Sequence, residues 1–244
     1  MRGPSEEDPH RVLGGSFTYA RRLPRFISWF SERRKYDNMN NKSEFLNLSE
    51  LQQKALRSGN WEVLRMYYKP DKIRFVIIGE APPNGGDRFF YYDEVSCRDY
   101  LFLNVMSVLY PDEISEYISN RSPYRKRKLL NKFKDIGGYL MDFYPMPKNV
   151  KPMGRDDSYY VEDFLKRFEN LGDSICGRDG NINKDNILLI FVHSTAAKLK
   201  PIFEKIGFKC FKLPFPLYGH ENDFKNRFKT ILNDLDGKTQ NEKS

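Results

Sequence analysis

Apolar positions along this chain fall into two kinds of run. Short, largely apolar runs rich in β-branched or aromatic residues occupy residues 73–78, 139–143 and 187–192, and a fourth short segment at 208–213 mixes apolar residues with two lysines. Runs of this length, bounded by Gly, Pro or Asn, predict buried strands of a parallel sheet. Between them lie longer stretches with apolar residues every three or four positions, at 97–110, 112–134, 158–171, 195–206 and 223–235. Another precedes the first strand at 44–68, with Phe45, Leu48, Leu51, Leu56, Val63, Leu64 and Tyr67 on one side and a break at Ser58-Gly59-Asn60. These predict helices. Strands alternating with helices predict an α/β fold. The expected form is a three-layer α/β/α sandwich around a central, mostly parallel sheet of four strands. Residues 79–95 and 172–185 read as loops, and no internal repeat is evident.

The pattern weakens at both ends. Residues 1–42 are polar and basic and predict a partly disordered arm. Residues 43–236 predict one domain, and 237–244 a polar, frayed tail. With 244 residues and 39% hydrophobic content, one sizeable core is expected. No apolar run is long enough for a membrane span, and no apolar leader segment is seen at the start. Cys97, Cys176 and Cys210 are scattered without metal-ligand spacing. They predict free thiols in a reducing, intracellular compartment, cytoplasmic or nuclear, and no metal site.

Net charge changes the picture. At +8, with a pI near 9.2, the chain is expected to meet a polyanion. Residues 121–134 read RSPYRKRKLLNKFK, with seven basic residues and no acidic one. Arg125, Lys126, Arg127 and Lys128 are candidate phosphate contacts; the alternative is a solvated helix face. A second group, Arg21, Arg22, Arg25, Arg33, Arg34 and Lys35, is interleaved with Phe26, Trp29, Phe30 and Tyr36. Basic residues among aromatics suit phosphate contacts beside base stacking.

Candidate chemistry gathers after the strands. The first strand runs into Gly79-Glu80-Ala81-Pro82-Pro83-Asn84, followed by Arg88-Phe89-Phe90-Tyr91-Tyr92. The second ends in Asp142-Phe143-Tyr144, the third in His193-Ser194, and the fourth in Pro214-Phe215-Pro216-Leu217-Tyr218-Gly219-His220. In a parallel sheet these termini share one edge, where ligands of open α/β sheets bind. Aromatics with a few polar groups suit a flat, partly polar ligand such as a nucleobase.

These segments resemble the uracil-DNA glycosylase superfamily over about residues 73–235. GEAPP at 79–83 is similar to its first motif, and LPFPLYGH at 213–220 to its second. The resemblance implies a DNA glycosylase that hydrolyses the N-glycosidic bond of a flipped damaged or deaminated base, uracil or a relative. It implies DNA, duplex or single-stranded, as partner, a monomer, and neither metal nor cofactor. Glu80 would stabilise charge on the sugar or orient water; alternatively it caps a turn. Backbone N–H groups near Ala81 and Asn84 would hold base oxygens. Phe89 or Phe90 would stack on the base, or else pack in the core. Asp142 would read its edge where the family has Asn, or else serve as a strand-end or turn residue. An ionised Asp only accepts hydrogen bonds, so a base with an exocyclic amine suits it better than uracil. Pro214, Pro216, Leu217 and Tyr218 fall in the loop that would wedge into DNA. Leu213 stands where the family has its His and Phe215 where it has Ser. His220 is therefore the candidate imidazole, either on the leaving base or facing phosphate. His193 reads as a helix cap or a phosphate contact. Two other readings stay open: a catalytically silent nucleic-acid-binding domain on the same fold, and an unrelated nucleotide- or phosphate-binding α/β enzyme. The latter would lack a Walker or dinucleotide Gly-rich loop.

Overall fold

A computed structural model describes residues 48–58, 61–84, 88–93, 98–150, 157–177, 180 and 182–241. The chain divides into Met1–Leu46 and Asn47–Ser244, and every described residue belongs to the second unit. The arm at 1–42, with its Arg- and aromatic-rich group, lies outside the described residues.

The predicted break at 58–60 separates helices α1 (Leu48–Ser58) and α2 (Glu62–Tyr67). Strand β1 (Phe75–Gly79) follows and is buried at every position. Next come helices α3 (Tyr100–Leu109), α4 (Pro111–Ser119) and α5 (Pro123–Asp135). The predicted single helical stretch at 112–134 is two helices. Pro123 is the reason: it starts α5 at the first turn, where its missing N–H costs nothing, and Ser122 caps it by accepting from the Arg125 N–H. Strand β2 (Gly138–Asp142), helix α6 (Asp157–Glu169), strand β3 (Leu188–Phe191), helix α7 (Lys200–Lys205), strand β4 (Lys209–Lys212) and helix α8 (Glu221–Asn241) complete the order. Helix α8 runs six residues past its predicted end, so the tail expected at 237–244 is helical up to Asn241.

The four strands form one all-parallel sheet in the order β2-β1-β3-β4. Helices cover both faces, which makes the fold a three-layer α/β/α sandwich. On one face Phe75 meets Phe133 of α5 and Phe228 of α8. On the other, Phe191 meets Phe203 of α7, which in turn meets Phe164 and Phe168 of α6. Residues 75 and 191 point to opposite sides because Phe191 pairs with Ile78, three positions along β1 from Phe75.

That strand order fixes where a ligand can bind. From β1 the chain passes to β2 on one side, while β3 and β4 extend on the other. The carboxyl ends of β1 and β3 therefore open onto a crevice at the topological switch point. Glu80 follows β1 and His193 lies two residues after β3. No described helix is long and apolar enough to cross a membrane.

Candidate active site

A cavity of about 630 Å³ opens at this switch point. Glu80, Phe89, Asp142, His193, Leu217 and Tyr218 are among its lining residues. The volume falls in the range that encloses a small organic ligand. Four separate chain segments, the end of β2 and the residues after β1, β3 and β4, thus meet in one place.

Glu80 is placed by its backbone. Its carbonyl accepts from the Tyr144 N–H at 2.8 Å, and the Gly79 carbonyl accepts from Phe143 at 2.9 Å. The β1–β2 ladder therefore continues past the strand end. Three groups converge on Glu80 Oε1: Lys148 Nζ at 2.6 Å, Thr195 Oγ1 donating at 2.7 Å, and His193 Nδ1 at 3.3 Å. Among the described residues, Oε2 takes no hydrogen bond. Burial works against the Glu80 charge. The hydrogen bonds from Lys148 and Thr195, with the nearby His193, outweigh it and hold the carboxyl below its ordinary value. Glu80 is a fixed negative charge in a half-enclosed site.

Asp142 is held differently. It is 5% exposed, and its Oδ2 accepts from Arg65 Nη2. Arg65 is fully buried, also pairs with Glu62, and lays its guanidinium 5.1 Å from the centroid of the Phe89 ring. One cation thus braces two walls of the cavity. Burial pushes the Asp142 carboxyl up from its ordinary value against the opposing pull of Arg65. Gly79 leaves the room this needs, since a Cβ there would lie 2.5 Å from Asp142 Oδ1.

Both aromatics are buried in the core: Phe89 packs against Trp61, Tyr91 and Arg65, and Phe90 against Tyr91, Phe102 and Phe133. Both also border the cavity. Ala81 lines it, while the exposed Asn84 does not. Of the last loop, Phe215, Leu217 and Tyr218 line it, while Pro216 is buried outside the lining. Pro214, half-buried, is outside the lining. Tyr218 is 87% exposed and holds φ at 53°, a left-handed conformation that a bulky side chain adopts at a cost.

Two expectations need correction. His220, expected as the imidazole of the site, is exposed, outside the cavity lining, and directly precedes α8. The imidazole in the cavity is His193, whose Nδ1 lies 3.2 Å from the Thr195 amide nitrogen at the start of the following turn and 3.3 Å from Glu80 Oε1. Lys126, expected to face phosphate, is fully buried. Its ammonium pairs with Asp99 and lies 4.6 Å from the Phe102 ring centroid. It projects inward because α5 turns this position toward the N-cap of α3, which Asp99 supplies. Arg127 is tied to the buried Asp93 through Nε and Nη2, and Arg125 pairs with Glu116. Lys128 is exposed. At the cavity itself the cationic lining comes from Arg88 and Arg98. No cluster of potential metal ligands occurs among the described residues.

Comparison of the chain with protein-family models, with curated proteins and with solved structures finds no match.

Proposed function

We propose that the chain is a DNA glycosylase of the uracil-glycosylase type. The observation that carries this reading is the convergence of Glu80, Phe89, Asp142 and the 215–218 loop on one cavity. Breaking an N-glycosidic bond builds positive charge at C1′ and negative charge on the departing base. A carboxylate held below its ordinary value is a weak proton acceptor but a good fixed counter-charge. Glu80 would therefore face the sugar through Oε2, its orientation set by the groups on Oε1. Phe89, a buried wall of the cavity, would have to turn a ring face to the flipped base, a stack worth about 1–3 kcal/mol. Arg88 and Arg98 put positive charge where flanking phosphates would lie.

Incubation with oligonucleotides carrying uracil, hypoxanthine, xanthine or a mismatch, followed by alkali, tests the proposal. Strand cleavage by the wild type that falls at least a hundredfold in Glu80→Gln supports it. Cleavage that survives Glu80→Gln removes the site assignment, and absence of cleavage on every substrate removes the reading. The Arg65–Asp142 pair favours a second reading, a non-catalytic DNA-binding domain, because it engages one oxygen of the carboxylate that would read the base. Salt-sensitive DNA binding without cleavage is the result it expects.

A further inference from the structure

A hydrolysis led by Glu80 leaves one requirement open. The attacking water must lose a proton, and a carboxylate held below its ordinary value accepts one poorly. A second group in the cavity has to take it. His193 is the imidazole there, a third exposed, with Nδ1 turned to Glu80 and Thr195. Among the described residues its Nε2 makes no hydrogen bond.

The position of the ring proton decides what Nε2 can do. Nδ1 lies 3.3 Å from Glu80 Oε1 and 3.2 Å from the Thr195 N–H. It cannot both donate to the first and accept from the second. Without a proton on Nδ1, its lone pair would face an ionised carboxylate, which is repulsive. With the proton there, the contact becomes a charge-assisted hydrogen bond, roughly twice as strong as a neutral one. The Thr195 N–H begins a short helical turn, where a free donor is readily met by water. The carboxylate therefore wins the proton for Nδ1.

We infer that Glu80 and His193 form a catalytic dyad in which His193 Nε2 is the proton acceptor of the cavity. The inference rests on the glycosylase reading. As C1′–N breaks, its electron pair leaves with the base. The water oxygen bonds to C1′ and one water proton passes to Nε2. The imidazolium, steadied by Glu80 at Nδ1, then returns that proton to the departing base. Atoms and charge balance, and the protein ends as it began. Thr195 Oγ1 and Lys148 Nζ are positioning groups that hold Oε1 toward the ring. The dyad joins the ends of β1 and β3, so it needs no imidazole from the β4 loop, where Leu213 is buried.

Two measurements test it. Imidazole nitrogen NMR on the intact wild-type protein should find the neutral His193 ring protonated at Nδ1, with that preference lost in Glu80→Gln. A ring protonated at Nε2 overturns the dyad whatever the activity. In the cleavage assay, His193→Ala and His193→Gln should each slow turnover about a hundredfold, within the usual worth of general base catalysis. Added imidazole should restore at least tenfold to His193→Ala alone, which a purely structural role would not allow. Loss under threefold, or no rescue, overturns the catalytic role while leaving the glycosylase reading intact. An Nδ1-protonated ring in a wild type that cleaves none of the substrates removes the glycosylase reading and the catalytic role with it, leaving only the Glu80–His193 pairing.

Discussion

The sharpest energetic consequence concerns Arg65. It is fully buried and its charge is answered mainly by Asp142, with a partly exposed Glu62 beside it. Burial opposes the guanidinium charge, yet Asp142 and then Glu62 outweigh it and hold the group above its already high ordinary value. Replacing Arg65 by Met keeps much of the volume but strands the Asp142 carboxylate in the interior. Removing one partner of a buried pair costs about 3–5 kcal/mol. Taking roughly 4 kcal/mol, the melting temperature should fall by roughly 8–16 °C for a chain of this size. The double variant Arg65→Met with Asp142→Leu buries no charge and should recover to within about 1–2 kcal/mol of wild type. Urea unfolding of the wild type, both single variants and the double variant closes the cycle. The two substitutions should be strongly non-additive, with a coupling of at least about 2 kcal/mol. The Arg65→Met deficit should also narrow toward acid pH, because a carboxyl without its cation can neutralise itself by taking up a proton. A loss below about 1 kcal/mol in Arg65→Met, or simple additivity, would refute the idea that the pair organises this wall.

The remaining predictions follow from neighbouring features. Glu80 sits below its ordinary value of 4.5, so the stability it contributes is present above that pH and is lost as pH falls through its folded-state value. The melting-temperature gap between wild type and Glu80→Gln should therefore be flat above about pH 5.5 and change only below about pH 4.5, as thermal scans would show. Lys126→Met should destabilise the fold by several kcal/mol, since it removes the buried cation paired with Asp99, whereas Lys128→Ala should leave unfolding unchanged. In a DNA titration across salt, Lys128→Ala should reduce the slope by about 0.9 if that side chain contacts one phosphate. Tyr218→Gly relieves a strained φ of 53° on an exposed residue and should stabilise by up to about 1 kcal/mol in urea. The same change should weaken DNA binding, which a fluorescence anisotropy titration would detect.

The strands were the most legible part of the chain. Residues 75–78 are apolar because β1 is the inner strand between β2 and β3, buried on both faces, and that leaves a direct mark on composition. The carboxylate after it was readable for the same reason. The histidine was not, because His193 and His220 both follow strands. Only the neighbour relation of β1 and β3, set by a crossover the sequence does not write down, brings one of them to Glu80. Arg65 left no signal on α2 either, since its burial is decided by Asp142, 77 positions away. Lys126 misled in the opposite direction. Within RKRK it looks like its neighbours, and only Asp99 at the start of α3 singles it out.

The backbone ladder through Gly79 and Glu80 divides thermal motion unequally around the cavity. The amides of Phe143 and Tyr144 are locked onto the central strand and belong to the same cooperative unit as the sheet. Their hydrogen exchange should therefore require opening of the whole domain. The opposite wall, around Leu217, hangs on short local bonds from Leu217 to Phe215 and from His220 to Leu217. It can open at far lower cost. The carboxylate is thus anchored to the slowest-exchanging part of the molecule, and the aromatic side facing it is free to adjust to whatever enters.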